Sequence, residues 1–286
     1  MSEINPLLRD HGLPAFDAIR PEHVAPAVSE ILKLSSICLE QAESATPGDW
    51  DALMGPMAKI DLLFEYGWSP VNHLMGVANS DELRAAHEAA LGDIVQFSLR
   101  MKQSRDLYER FVALRESDGF ADMDSAKQRI VQKSIQSAEQ AGIALAEEQQ
   151  ARFNEIAQRM SQLGSDFSNN VLDETKAWHL DITDPQDAAG LPASYRSMAA
   201  AAWAQGQDSE DAAADAENGP WRVKLDAPSF GPFMEHCRNR ALREAAYRAY
   251  VTRASRGERD NGPLISEILA LRKEQCELLG YEHLRR

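Results

Sequence analysis

Apolar residues recur along this chain every three or four positions, stretch after stretch, and that period suits one kind of backbone. Val24, Val28, Ile31 and Leu32 stand at i, i+4, i+7 and i+8, which places all four on one face of an α-helix. Phe153, Ile156, Met160, Leu163 and Phe167 keep the same period over a second long run. A strand would alternate with period two, so a chain patterned this way is committed to helices packed face to face. Local signals agree. Pro21 and Glu22 suit the first turn of a helix over residues 20–43, and Ser69 with Pro70 suits the start of another. Ser80 opens a run to Glu116, with Asp81 and Glu82 as its expected capping carboxylates. The expected fold is mainly α, with no repeat of fixed length.

The pattern changes once. "WHLDI" (178–182) and "WRVKL" (221–225) alternate apolar and polar residues, which predicts two short paired strands. Between them, "LPASYRSMAAAAWAQ" reads as a short helix. Residues 206–219 follow, with five carboxylates and no Lys or Arg, and read as a solvated, mobile loop. The sequence therefore divides into a helical stretch 1–175, a small strand–helix–strand insertion 176–230, and further helices over 231–286.

Chemistry-bearing motifs are missing where they would have to be. The seven His (11, 23, 73, 87, 179, 236 and 283) are spread so that no two share a helical turn. A helical zinc site stacks two imidazoles three or four residues apart. "HEAAL" at 87–91 begins like HExxH, but Leu91 stands where the second His belongs. His87 reads as a polar helix residue beside Glu88. Glu235, His236 and Cys237 are consecutive, and successive helical side chains point about 100° apart, so they cannot converge on one ion. Gly257 and Gly262 have P-loop spacing, but Pro263 and Leu264 replace the Lys and Ser/Thr. No catalytic, cofactor-binding or metal-ligating residue is assigned, and no cofactor is expected in this chain.

Charge and composition narrow the partners. A net charge of −15 argues against a nucleic-acid surface, which needs clustered Lys and Arg. No apolar run approaches the roughly 18–20 residues needed to cross a bilayer, so no membrane partner is expected. The N-terminal residues lack a basic segment followed by an apolar one, the pattern of a signal peptide. Cys38, Cys237 and Cys276 are odd in number and far apart, which reads as reduced thiols in helices and a cytoplasmic protein.

The last helix, from about Leu264 to Gly280, is unusual. Leu264, Ile265, Ile268, Leu271, Cys276, Leu278 and Leu279 spread over about half its circumference, wider than an amphipathic stripe. Such an arc expects partners on two sides, and self-association through the 264–279 face is one way to supply them.

Four segments taken together resemble a known family: "NPLL…LPAFDAIRPEHVAPAV", "SPVNHLMGVANSDELRAAHEAALGDIVQFS", "MSQLGSDFSNNVLDETKAW" and "NRALREAAYRAYVTRAS". They are similar, in the family's order, to the N-terminal part of the oligopeptidase A group of thimet-oligopeptidase zinc peptidases. The resemblance implies a mostly helical molecule whose two halves face a channel that admits short peptides. It places the HExxH zinc helix in a C-terminal half that these residues do not include. On that reading the chain is a truncated member: it forms one channel wall, limits substrate size, and is catalytically silent alone. The other reading is a stand-alone helical module that binds or regulates a peptide or protein.

Overall fold

The computed structural model describes residues 5–207 and 214–282. Among them are ten α-helices, three 3-10 turns and one pair of strands, so the fold is mainly α. The chain forms two compact units: one of residues up to 162 together with those from 270 on, the other of residues 163–269.

The first unit contains α1 (Val24–Glu43), α2 (Trp50–Val77), α3 (Asp81–Lys102), α4 (Arg105–Arg115) and α5 (Ser125–Gln140). To these it adds the first part of α6 (Glu147–Ala177) and the end of α10 (Gly262–Leu278). Val24, Ala27, Val28, Ile31, Ser35, Cys38, Leu39 and Ala42 make one unbroken buried face of α1. Its first half enters a core with Leu7, Trp68, Val71, Leu83 and Ile94. Its second half enters another with Leu53, Ile60, Phe97, Phe111, Leu114 and Ile135. The closest approach falls at Gly67, where a Cβ would lie 2.0 Å from Ile31 Cδ1 and 3.1 Å from the Leu7 carbonyl oxygen. Only a residue without a side chain lets α2 lie so near α1.

Pro70 does not start a helix: α2 runs through both Pro56 and Pro70. The helix continues because Trp68, Pro70 and Val71 are buried against the first core, and that burial outweighs the missing backbone donor. Conversely, the run from Ser80 to Glu116 is two helices. Ser80 caps α3 by accepting from Leu83 N at 3.2 Å. Ser104 then accepts from Leu107 N at 3.2 Å and caps α4, while its hydroxyl donates to Glu43 Oε1 at 2.7 Å.

The second unit holds the rest of α6, β1 (His179–Ile182), α7 (Ala193–Gln205), β2 (Trp221–Lys224), α8 (Ala227–His236), α9 (Arg240–Val251) and the start of α10. The strands pair antiparallel, with Leu180 opposite Val223 and Asp181 opposite Arg222. Ile182, Trp221 and Val223 point into a core with Tyr195, Phe233 and Ala246. On the other face Arg222 forks onto Asp181, donating at 2.7 and 2.8 Å, and holds that carboxyl below its usual range.

Of the acidic stretch 206–219, residues 208–213 lie outside the described residues. Asp215 bridges to Gly219, and its carboxylate accepts from Glu217 N at 2.7 Å and Asn218 N at 2.6 Å. Asn261, 3% exposed, fastens the start of α10 to α6. Its side chain donates to the Phe167 carbonyl at 3.1 Å and accepts from Asn170 at 2.9 Å.

Candidate functional site

The residues with chemical potential are dispersed. His87 is buried, not a surface residue: its ring stacks on Trp68 at 4.7 Å, and Nε2 donates to Asn72 Oδ1 at 2.9 Å. Burial lowers its pKa. Glu88, the other half of the HE pair, is exposed. Cys237 is buried, with its thiol directed at the Asp187 and Asn239 carbonyls, whereas Glu235 and His236 are exposed. Burial pushes the Cys237 thiol up, away from a reactive thiolate. Tyr195 is likewise pushed up to about 12 by burial, 3.3 Å from Ser229 Oγ, so it is a neutral core phenol. The Gly257–Gly262 segment cannot cradle an anion: Asp260 Oδ1 already accepts from Gly262 N at 2.8 Å, at the mouth of α10. His283 lies outside the described residues.

The first unit does contain a polar trough, of about 610 Å³, among α1, α3 and α6. Asp93, Gln96, Arg100 and Gln158 line it. At one end Gln103 and Asn154 exchange amide hydrogen bonds at 2.7 and 3.2 Å, and Gln103 also donates to the Ala141 carbonyl at 2.8 Å. A smaller space of about 260 Å³ along α1 and α3 shares Leu32 and Asp93 with it. Amides and a carboxylate in a trough can pair with the N–H and C=O groups of an extended chain. They contain no nucleophile–base pair, so the arrangement is suited to binding and not to bond breaking. Sequence reading missed this trough, because its walls come from residues up to 126 positions apart, Leu32 to Gln158, and no local motif marks them.

The comparison with known proteins bears on what such a scaffold belongs to. Residues 28–150 match the neurolysin/thimet oligopeptidase N-terminal domain, and residues 233–286 match peptidase family M3. The organellar (chloroplastic/mitochondrial) oligopeptidase A of Arabidopsis thaliana is 42% identical over 98% of this chain and 35% of its own length. A probable cytosolic oligopeptidase A of the same plant is 42% identical over 98% and 39%. Oligopeptidase A of Escherichia coli is 41% identical over 98% and 40%. The chain belongs to the oligopeptidase A group of peptidase family M3.

It spans between 35% and 40% of the length of these M3 relatives. The N-terminal-domain match runs from α1 into α6 within the first unit, and the M3 match takes in the end of α8, α9 and α10. Membership of M3 points to zinc in full-length members. The residues described here do not fit that metal: among them no three His, Cys, Asp or Glu side chains come together in an arrangement able to hold an ion. No helix among them is long and apolar enough to cross a membrane.

Proposed function

We propose that this chain is the helical N-terminal region of a cytoplasmic, zinc-dependent oligopeptidase, and that it forms a wall of the space in which short peptides are held. The carrying observation is the alignment at 41–42% identity over 98% of the chain with named oligopeptidases A. Placement in the cytoplasm follows the relative named as cytosolic and the three buried free thiols. In this reading the polar trough contacts peptide backbone, the channel geometry limits substrate size, and catalysis requires ligands supplied by other residues of the family fold.

A chimera tests it. The aligned region of the Escherichia coli oligopeptidase A is replaced by residues 1–286, and hydrolysis of a quenched fluorescent peptide is followed. Retention of kcat/KM within about tenfold supports the assignment, and a folded, zinc-loaded but inactive chimera overturns it. Residues 1–286 alone are expected to bind no stoichiometric zinc and to leave the peptide intact. Chelator-sensitive hydrolysis by that chain would defeat this half of the reading.

A second reading draws on α10, where Ile265 is 46% and Leu269 59% exposed. Two large aliphatic side chains four residues apart make a contiguous open strip, and self-association of the chain would cover it.

A further inference from the structure

The first unit carries a further cavity, more apolar than the trough. It holds about 340 Å³, near the lower end of the range for small-molecule pockets, and lies among α2, α3, α4 and α5. Met57, Met101, Leu107 and Phe111 give it an apolar wall, two of them unbranched thioethers that adapt to an occupant. Lys102 and Lys133 line it too. In a chain of net charge −15, two ammonium groups beside one apolar cavity are an unexpected concentration of positive charge. Neither is neutralised among the described residues. Lys133 donates to the neutral amide of Gln136 at 2.7 Å, and Lys102, in the last turn of α3, has no carboxylate partner. Two carboxylates that bond to lining residues are engaged there: Glu43 accepts from Ser104 at 2.7 Å and faces Arg100 at 3.8 Å, and Glu139 accepts from Tyr108 at 3.3 Å.

From this pairing we infer a binding site for an apolar chain or ring that ends in a single carboxylate. The apolar body fills the space between Met57, Met101 and Phe111, and the carboxylate stays at the rim between the two ammonium groups. A neutral hydrocarbon would leave both lysines unanswered, and an amine would be repelled. A polyanion such as a nucleotide has more charge than two ammonium groups answer, and the Ser104 and Tyr108 hydroxyls already donate to Glu43 and Glu139. The site is separate from the trough in its lining: no residue lines both.

Two sources share this chemistry, a medium-chain fatty acid and an acylated apolar amino acid, and the test separates them. The full chain, labelled with ¹³C at its nine methionine methyls, is titrated with hexanoate, octanoate and decanoate, with N-acetyl-phenylalanine, and with decanol. The expected result is saturable binding of one carboxylate per chain that shifts the Met57 and Met101 methyls first. Affinity should rise by about fourfold per added methylene until the cavity is full. Tighter binding of N-acetyl-phenylalanine than of octanoate assigns the site to acylated amino acids, and the reverse order assigns it to fatty acids. Lys102→Glu with Lys133→Glu, both exposed and harmless to the fold, should weaken the carboxylate by about tenfold or more and leave decanol unchanged. Ser134→Phe, which fills the cavity from α5, should block every ligand while the circular dichroism melt is retained. Equal affinity for decanol and decanoate, or shifts confined to other methionines, would overturn the inference.

Discussion

Helices α1 and α10 are both rich in apolar residues, yet α1 buries eight of its 20 residues and α10 buries one of 17, Cys276. The difference lies in the surroundings. Each buried position of α1 meets a residue brought from α2, α3 or the N-terminal turns, such as Leu39 beside Leu53 and Ile60 in one cluster. In α10 Leu264, Ile268 and Leu271 are half-covered, and Ile265 and Leu269 are open. Periodicity reports which face of a helix gains from burial. It does not report whether the chain supplies a surface to bury it against.

The sharpest way to break this comparison is to delete the same kind of side chain from each helix. Leu39 is fully buried, so Leu39→Ala should cost about 2–5 kcal/mol, the transfer of the side chain plus the cavity left behind. Leu269→Ala should cost about 0.5 kcal/mol or less. Urea titrations followed by circular dichroism measure both, and similar losses would mean that α10 is packed as tightly as α1.

Next in size is the polar fastening of α10. Asn261 lies at 3% exposure and binds Asn170 and the Phe167 carbonyl, so Asn261→Ala removes two hydrogen bonds from these part-buried groups. Each such bond contributes about 0.5–1.5 kcal/mol. Loss confined to residues 163–269 in hydrogen exchange would place the effect in the second unit, as the contacts require. A neutral substitution would show that water replaces the asparagine without penalty.

These contrasts mark what could be read from the residues. Both strands lie within one residue of their expected bounds, because an alternating pattern between turn-forming segments has few competing explanations. The helix start at Ser80 was legible for the same local reason, although the cap is the Ser80 hydroxyl and not the Asp81 or Glu82 carboxylate. Pro70 was not, because its place inside α2 is decided by a core that includes Leu7 and Val28, far away in the sequence. The break at Ser104 was missed because the long apolar period hid a cap that is fixed partly by Glu43, 61 positions earlier. The trough and the apolar cavity fall in the same class: Asp93 and Asn154, or Met57 and Ile130, become neighbours only through helix packing.

His87 gives a pH-dependent effect in the first unit that α10 should lack. Desolvation lowers its folded pKa below the ordinary value of 6.5, so the unfolded chain takes up more protons in that window. Stability from this group is therefore complete above about pH 6.5 and is lost as pH falls through the folded value. The neighbours on the ring are the neutral Trp68 and Asn72, which offer the imidazolium no compensating charge. Thermal melts between pH 5 and 8 should show a slope that His87→Gln removes. A slope of opposite sign would mean that the folded state favours the charged ring.

The smallest stability effect belongs to the open strip of α10. Ile265 and Leu269 are already in water, so Ile265→Glu with Leu269→Glu removes little packing and should change unfolding free energy by no more than about 0.5 kcal/mol. Ile268 and Leu271 are half-covered, and the same change there should be more damaging. The informative quantity is association. If copies of the chain cover the strip, sedimentation velocity should show a concentration-dependent oligomer for the parent chain and a monomer for the double variant. Apolar area removed from water contributes about 25 cal/mol per Å², so even a few hundred Å² per copy would give a measurable shift. Retention of the oligomer in the double variant would locate the contact elsewhere. A parent chain that stays monomeric at high concentration would leave the strip to a different partner.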